Sequence, residues 1–396
     1  MITFNFKSFT QQPNSMPKEK KEAIKKKFQT EDNKKGWYDL ERQEAKIKEL
    51  EETAIEIRQN CDIFLVIGIG GSFLGAKALY EALRDPYQKE TPEIIFTGTS
   101  LPNDNLTELK HYLKGKRMFI NVISKSGNTL ETILTFQELL PLLKETAQED
   151  WTKRIIITTN NQQGKLFDFA NQYQIKRFTI EDDIGGRFSV LSTVGLLPLA
   201  VAQKNIRDLL EGAKKARSEE DLAYAYAFLR DQFYQQGKEL EAFVIYDEKL
   251  SYFTEWLKQL FAESQGKKNK GLFPVSLLYS RDLHSLGQYL QEGKTLLFET
   301  HIRAIQKDKD YNTLEEELQK SVCESHVENQ IPSILITMDQ KNEWNFGYLI
   351  FFFYLSAMVG SYLLDVPYYN QNGVEVYKKK LTKALEKEKI TLTSLE

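Results

Sequence analysis

Short apolar runs alternate with stretches of helical periodicity along most of the chain. The runs CDIFLVIGIG, EIIFTGT, MFINVIS, RIIITT and IKRFTI are typical of buried strands, and the stretches between them place apolar residues every three or four positions. After a mostly helical stretch from Leu191 to about Gln236, the runs EAFVIYD, GLFPVSLLY, KTLLFET and IPSILITM repeat the pattern. Strands that alternate with helices predict parallel, doubly wound sheets. We therefore predict an α/β fold with two subdomains, each a mostly parallel doubly wound sheet flanked by helices.

The length and the changes of pattern predict four regions. A chain of 396 residues is longer than one hydrophobic core usually serves. The segment KEKKEAIKKK is typical of a solvated helix face. We predict an N-terminal helical segment over residues 1–55, a first subdomain over 56–205, a second over 206–366 and a C-terminal helical segment over 367–396.

One apolar stretch raises the question of a membrane anchor. From Asn345 to Leu364 the sequence NFGYLIFFFYLSAMVGSYLL has no charged residue and is about as long as a bilayer-spanning helix. Because it is solitary and is flanked by acidic Glu343 and Asp365, we favour a buried core helix. The N-terminal MITFNFKSFTQQ lacks the basic region and apolar core of a signal peptide. We expect a cytoplasmic protein that does not bind a membrane.

Charge and cysteine content argue against a nucleic-acid surface, a disulfide framework and a zinc site. The formal net charge is -3, from 53 basic and 56 acidic side chains, which gives no reason to expect a nucleic-acid surface. Cys61 and Cys323 are far apart and lack CxxC spacing, so neither a disulfide framework nor a zinc site is expected.

Two glycine- or hydroxyl-rich turns follow predicted strands and precede helices. The first, GIGGSFLG, contains Ser72, but Phe73 breaks the dinucleotide fingerprint and Ala76 breaks the P-loop motif, so a plain strand-to-helix turn remains the alternative. The second, SKSGNT over residues 124–129, offers three hydroxyls, a lysine and backbone N–H groups. This set suits a phosphate dianion, and a simple helix N-cap is the competing interpretation.

Charged residues elsewhere supply candidates for acid–base chemistry. In DIGGRFS a glycine pair allows Arg187 to be presented from a tight turn, where it can stabilise an oxyanion or pair with Asp182 or Asp183. Glu263 ends the predicted helix YFTEWLKQLFAES, as a base or as a surface residue. Among four histidines, His284 precedes an amphipathic helix and His326 is expected in a polar loop.

Six segments together resemble the glucose-6-phosphate isomerase family, in its shorter bacterial type. They are VIGIGGSFLGAKAL, INVISKSGNTLET, DDIGGRFSVLSTVGLLPLA, EWLKQLFAESQGK, DLHSLGQYLQEG and NQNGVEVYK, which follow the family's order and cover almost the whole chain. The resemblance implies a sugar-isomerase fold and reversible conversion of glucose 6-phosphate to fructose 6-phosphate, as in glycolysis and gluconeogenesis. It also implies a phosphosugar substrate, no metal and no cofactor, and a homodimer whose partner subunit lends a histidine to the active site.

The resemblance also implies a role for each matching residue. Glu263 in ESQGK moves the proton between C2 and C1, and Arg187 in GGRFS lies beside the enediolate. His284 in DLHSLGQ and Lys378 in GVEVYK open the sugar ring. The implied substrate-binding residues are Ser72, the phosphate cradle Ser124, Lys125, Ser126 and Thr129, and the sugar-contacting Gln259 and Gln371.

Some departures and alternatives stay open at this point. Asn128 replaces a hydroxyl of the family's SGTTTE, the proline after Gln371 is missing, and the segment between Phe298 and Ile331 is short and weakly matched. The competing functions are an isomerase of another phosphosugar such as mannose 6-phosphate, a non-catalytic sugar-phosphate-binding regulator, and a membrane-anchored binding protein.

Overall fold

The computed structural model describes residues 1–9, 15–30, 34–160 and 162–387. The strands among these residues are β1 (Ile2–Phe9), β2 (Ile63–Ile67), β3 (Glu93–Thr97), β4 (Met118–Ser124), β5 (Ile155–Thr159), β6 (Lys176–Thr179), β7 (Leu240–Ile245), β8 (Phe273–Leu278), β9 (Leu297–Ala304) and β10 (Ser333–Met338).

Helices fill most of the intervals between the strands. The α-helices are α1 (Lys18–Thr30), α2 (Leu40–Glu44), α3 (Ile47–Asn60), α4 (Leu74–Leu83), α5 (Asp104–Leu113), α6 (Leu130–Ala147), α7 (Lys165–Gln172), α8 (Thr193–Val201), α9 (Ile206–Ser218), α10 (Asp221–Gln235), α11 (Ser251–Gln265), α12 (Leu283–Glu292), α13 (Lys309–Glu328), α14 (Glu343–Leu363) and α15 (Val374–Lys387). Short 3-10 turns include Gly70–Ser72 and Gly186–Phe188.

The chain divides into two compact units. The first unit contains Asn33–Tyr80, Asp85–Ile206 and Asn370–Glu396, and the second contains Met1–Asp32, Glu81–Arg84 and Arg207–Tyr369. Both units are therefore discontinuous in sequence. The predicted boundaries after residues 55, 205 and 366 stay a prediction.

The first unit is built on a fully parallel sheet in the order β3-β2-β4-β5-β6. Every residue of the central strands β2 and β4 is buried, because helices cover both faces. The carboxyl ends of β2 and β4 are adjacent, since Ile67 lies opposite Val122. The two turns that follow these strands therefore lie at the same edge of the sheet.

The second unit contains a sheet in the order β1-β10-β9-β7-β8, in which β1 pairs with β10 in antiparallel fashion and the other neighbours pair in parallel. On one face α10 packs on α14, with the rings of Tyr226 and Phe352 5.3 Å apart. On the other face Val244 of β7, Leu290 of α12 and Val322 of α13 belong to one apolar cluster. The prediction of mostly parallel sheets flanked by helices is confirmed.

The predicted N-terminal helical segment begins with a strand, β1, which precedes its helices. In ITFNF the apolar residues Ile2, Phe4 and Phe6 alternate with polar ones, which is the pattern of a half-buried strand. Phe4 packs on Phe352 of α14 with ring centroids 4.7 Å apart. Ile2 lies opposite Met338, so β1 completes the edge of the second sheet.

The basic helix α1 also lies closer to the core than a solvated face would. Ile24 is buried, and the Lys25 ammonium lies 2.7 Å from the Glu220 carboxylate and 5.9 Å from the ring centre of Tyr224. The hydrogen bond from Lys25 to Glu220 raises the pKa of the Lys25 ammonium. The lysines of α1 thus attach this helix to the start of α10.

The apolar stretch near the C-terminus is a core helix, as predicted. Helix α14 is long and apolar enough to cross a membrane, and it is the one such helix in the described part of the chain. However, 94% of its most apolar window is buried inside the protein, which is typical of a core helix.

Candidate active site

The turn after β4 brings three hydroxyl groups together at the start of α6. The Ser124 hydroxyl lies 2.7 Å from that of Thr129 and 3.4 Å from that of Ser126. Thr129 is the N-cap residue of α6, but its side chain makes no capping hydrogen bond. The hydroxyls and the N-terminus of an 18-residue helix therefore form a place where an anion can bind.

Asn128, which departs from the family motif, has a structural contact of its own. Its side-chain oxygen accepts a hydrogen bond from the backbone N–H of Lys165 at 3.0 Å, and its own N–H donates to the Ser126 hydroxyl at 3.2 Å. The asparagine thus attaches the hydroxyl turn to the first turn of α7.

The turn that carries Ser72 packs directly on the turn that carries Arg187. An added Cβ on Gly71 would lie 2.2 Å from the backbone of Gly186, so only glycine permits this approach. The Ser189 hydroxyl also reaches the carbonyl oxygen of Gly71, at 3.3 Å. The turns that carry Ser72 and Arg187 are therefore in contact through their backbones.

Arg187 is buried and contacts another predicted site residue. Its Nη1 donates to Oε1 of Gln371 at 2.6 Å, and its Nη2 donates to the carbonyl oxygen of Asn370 at 3.2 Å. Its side chain is only 1% exposed. Asp183, considered above as a partner for Arg187, accepts hydrogen bonds from the Arg42 guanidinium at 3.0 and 3.1 Å.

The Lys125 ammonium points to the backbone that precedes Arg187. It donates to the carbonyl oxygens of Asp182 at 2.9 Å and of Ile184 at 2.7 Å. Burial, helped by the nearby Lys34 ammonium, lowers the pKa of Lys125. Lys125 therefore connects the hydroxyl turn with the arginine turn through its side chain.

In the second unit, Glu263 and Gln259 lie one helical turn apart on α11. Nε2 of Gln259 donates to Oε1 of Glu263 at 3.0 Å, and both side chains are partly buried. Oε1 of Gln259 is buried, and no described residue donates a hydrogen bond to it. A buried acceptor without a protein donor normally has another hydrogen-bond partner, such as water or a ligand.

His284 and Lys378 are both exposed. His284 lies at the start of α12, where its backbone N–H donates to the carbonyl oxygen of Arg281. The Lys378 ammonium lies 3.0 Å from the Glu375 carboxylate, one turn earlier on α15. Hydrogen bonds thus join Arg187 to Gln371 and Gln259 to Glu263. Lys378 instead pairs with Glu375 of its own helix.

Two other histidines form a buried network around Glu299. Oε2 of Glu299 lies 3.0 Å from Nε2 of His301 and 3.0 Å from Nδ1 of His326. Burial alone would raise the pKa of Glu299, but the hydrogen bonds from both histidines lower it well below its usual range. The expectation of His326 in a polar loop is wrong: it lies in α13 and is 4% exposed, because its ring faces this carboxylate.

Nothing in the described side chains resembles a metal centre. No group of three or more His, Cys, Asp or Glu residues within the described ranges is arranged to hold a metal ion. Cys61 and Cys323 are both free and buried.

Known proteins resemble this chain over most of its length. The sequence model of the phosphoglucose isomerase family matches residues 39–272, which is more than half of the chain. A glucose-6-phosphate isomerase of Bacillus thuringiensis (strain Al Hakam) is 39% identical over 390 residues, covering 89% of this chain and 86% of that protein. The chain belongs to the phosphoglucose isomerase family.

Solved structures agree with this membership at the level of the fold. A hypothetical protein of Thermus thermophilus superposes with a TM-score of 0.82 and 27% identity, covering 93% of this chain and 94% of that one. A glucose-6-phosphate isomerase of Chlamydia trachomatis gives a TM-score of 0.77 and 21% identity, covering 88% of this chain and 74% of that one.

The family match separates the predicted residues into two groups. Residues 39–272 include the hydroxyl turn, Ser72, Arg187, Gln259 and Glu263, whereas His284, Gln371 and Lys378 lie beyond this range. The contact of Arg187 with Gln371 is therefore a structural observation that adds to the match.

Sequence reasoning missed the residues that support the arginine turn. Lys34 donates to the carbonyl oxygen of Asp182 at 3.1 Å, Arg42 binds Asp183, and the ring of Trp37 stacks on Phe188 at 5.2 Å. Lys34, Trp37 and Arg42 fall in the predicted N-terminal helical segment, whose charged composition is typical of a solvent-exposed surface, so no local signal distinguishes them.

Proposed function

We propose that the chain interconverts glucose 6-phosphate and fructose 6-phosphate by aldose–ketose isomerisation through an enediolate, in glycolysis and gluconeogenesis. The observation that carries this proposal is membership of the phosphoglucose isomerase family along most of the chain. The hydroxyl turn, the buried arginine and the carboxylate on α11 supply the three chemical groups that such a reaction needs.

Glu263 is the proposed base. A carboxylate takes the proton from C2 of the aldose and returns it to C1, and the reverse reaction uses the same two steps. Gln259 donates a hydrogen bond to one carboxylate oxygen, which limits rotation of the Glu263 side chain. The free acceptor of Gln259 is suited to a sugar hydroxyl.

Ser124, Ser126 and Thr129 are the proposed phosphate cradle, with Lys125 beside them and Ser72 as a further substrate contact. The helix N-terminus and the hydroxyls favour a dianion electrostatically and by hydrogen bonding. Binding energy from the phosphate then orients the reacting carbons without taking part in the proton transfer.

Arg187 is the proposed stabiliser of the enediolate charge, since a guanidinium keeps its charge throughout the reaction. The hydrogen bond with Gln371 fixes its orientation, and Gln371 itself is a proposed sugar contact. His284 and Lys378 are proposed to open the sugar ring before isomerisation. A carboxylate and a guanidinium carry the proton and the charge, so the proposed reaction uses no metal and no redox cofactor.

The deciding experiment follows fructose 6-phosphate turnover as NADPH appearance through coupled glucose-6-phosphate dehydrogenase, with EDTA present. We expect activity in the wild type and a loss on the order of 10²–10⁴ in kcat for Glu263→Gln. Glu255→Gln, on the same helix and paired with Lys258, is the matched control that should keep its activity.

The opposite results have distinct meanings. A wild-type chain that binds fructose 6-phosphate tightly without turnover would be a sugar-phosphate-binding protein. Turnover of mannose 6-phosphate alone would move the activity to another phosphosugar. Full activity in Glu263→Gln would remove this residue as the base.

We also propose that the enzyme is a cytoplasmic homodimer. The helix that carries His284 leaves the apolar side chains of Leu286 and Tyr289 exposed, which supports a subunit interface. The apolar helix α14 is buried in the core, which supports a protein that α14 does not anchor in a membrane.

A further inference from the structure

A fully buried ion pair lies behind the helix that carries the proposed base. Arg230 of α10 is 2% exposed and Glu241 of β7 is 0% exposed, and Nε of Arg230 donates to Oε2 of Glu241 at 2.8 Å. The other carboxylate oxygen accepts hydrogen bonds from Tyr226 at 2.6 Å and from Thr300 at 2.9 Å. Every oxygen of this carboxylate is therefore satisfied without water.

Such a pair is a poor device for stability alone. Removing two charges from water costs about as much free energy as their attraction returns, and apolar residues of similar volume often serve as well. A role for the pair is therefore better sought in the geometry that it imposes on its neighbours.

The guanidinium of Arg230 extends from Glu241 to the last turn of α11. Its Nη1 donates to Oε1 of Gln265 at 3.1 Å, and its central carbon lies 4.0 Å from the ring centre of Phe261. Gln265 and Phe261 are the second neighbours of Glu263 on either side. The arginine thus contacts the helix just before and just after the proposed base.

Gln265 in turn attaches this helical turn to α14. Its Nε2 donates to the carbonyl oxygen of Ala357 at 3.3 Å. An added Cβ on Gly360 would lie 2.3 Å from the same nitrogen, so the glycine provides the space that the amide occupies. The end of α11 is consequently fixed from two sides, by α10 and by α14.

We propose that Arg230 and Gln265 are positioning residues that fix the last turn of α11 and thereby the carboxylate of Glu263. This inference rests on the proposed function of Glu263. The last turn of a helix is where the backbone otherwise frays, because its carbonyl groups lack partners within the helix. A displacement of about 1 Å at a reacting group can cost about 10²-fold in rate, so a small loosening of this turn lowers kcat.

Two variants separate positioning from general stability. Gln265→Met keeps the volume but removes both hydrogen bonds of the amide. Arg230→Lys keeps the charge opposite Glu241, but a single ammonium cannot replace the fork that joins Glu241 to Gln265. Tyr226→Phe is the matched control, because it removes a buried hydrogen bond to the same carboxylate without touching Gln265.

The measurement is kcat and KM for fructose 6-phosphate per folded enzyme, with folding checked by circular dichroism and thermal unfolding. We expect kcat to fall at least about tenfold in both variants with KM changed less than about twofold. Tyr226→Phe should lower the melting temperature and leave kcat unchanged.

The outcomes distinguish this inference from the function on which it rests. Wild-type turnover together with unchanged kcat in whichever of the two variants folds would overturn the positioning role only. A matching fall of kcat in Tyr226→Phe would also overturn it, because the effect would then belong to the buried core in general. A wild type without turnover would overturn the proposed function itself.

Discussion

The Lys125 side chain lies inside the hydroxyl turn in sequence but acts on a different backbone segment in space. Its ammonium contacts the carbonyl oxygens of Asp182 and Ile184, which precede the Gly186–Phe188 turn. Each of these hydrogen bonds is charge-assisted because its donor is an ammonium. Water replaces them poorly because the ammonium is partly buried.

Replacing Lys125 should therefore affect more than phosphate binding. We expect Lys125→Met to lower kcat/KM for fructose 6-phosphate about tenfold or more, with both a higher KM and a lower kcat, since the turn that presents Arg187 relaxes. Lys34→Met removes one hydrogen bond to Asp182 and leaves Ile184 alone, so it should change kcat/KM by less than about threefold. Steady-state kinetics of the two variants decide the matter, and wild-type values for Lys125→Met would exclude this role.

The Thr129 hydroxyl offers a more selective test of the cradle. It bonds to Ser124 and does not cap its helix, so its loss removes a ligand contact with little cost to α6. We expect Thr129→Val to raise KM for fructose 6-phosphate about tenfold with kcat nearly unchanged. Thr146→Val, near the other end of α6, is the control with unchanged KM. Equal KM values in the two variants would remove Thr129 from the cradle.

The sequence predicts the phosphate cradle better than it predicts the buried Arg230–Glu241 pair behind Glu263. Serine, threonine and lysine between a buried strand and a helix are typical of an anion site, and the local geometry is formed by neighbours in sequence. Arg230 on α10 and Glu241 on β7 carry no such signal, because charged residues are almost never fully buried unless they are paired. Their shared burial becomes visible only in the structure, where Arg230 of α10 donates a hydrogen bond to Glu241 of β7.

At the scale of secondary-structure elements, β1 depends on the aromatic packing of Phe4 against α14. We expect Phe4→Ala to lower the free energy of unfolding by about 2 kcal/mol, less than for a fully buried phenylalanine because the ring is only partly covered. Thr3→Ala, which changes an exposed neighbour on the opposite face, should have an effect near zero. Urea unfolding followed by circular dichroism measures both. A loss that is equal in the two variants would mean that the Phe4 contact does not stabilise the fold.

The histidine network between β9 and α13 predicts a dependence of stability on alkaline pH. Burial opposes the charge on His301, but Cys323 and Glu299 outweigh it and raise the pKa of His301 to about 10 from an ordinary 6.5. A raised pKa contributes stability that is complete below pH 6.5 and is lost as pH approaches about 10.

The melting temperature of the wild type should therefore fall between about pH 7 and pH 10 by more than that of His301→Gln. Glutamine can still bond to Glu299 and Tyr246, but it does not titrate. His111→Gln, which changes an exposed histidine on α5, should follow the wild-type curve. Parallel curves for the wild type and His301→Gln would contradict the assignment.

The elements themselves were largely predictable, with one instructive exception. The parallel strands β2, β4 and β5 were the most visible, because every residue in them is buried and such strands form continuous, largely apolar runs. Strand β1 lies at a sheet edge, so its signal is a brief alternation beside a strongly charged helix. His326 was misplaced for a related reason, since its polar neighbours describe the exposed side of α13 and its own side faces inward.

For the whole molecule, the proposed dimer makes a prediction about concentration. Light scattering should give twice the mass of one chain, and specific activity should fall on dilution as dimers dissociate. Leu286→Glu places a charge on the exposed apolar face of α12, so it should favour monomers and lower activity. Tyr87→Glu, at a side chain that is 96% exposed, is the control. A fully active monomer would exclude a shared active site.

The pairing of β1 with β10 also orders events during translation. The two strands are about 330 residues apart, so a ribosome that adds about 5–20 residues per second finishes β10 tens of seconds after β1 has emerged. The parallel sheet of the first unit lies wholly between them in the sequence. That sheet can form on the nascent chain while β1 is still unpaired. The second sheet is completed last, when β10 has been synthesised and pairs with β1.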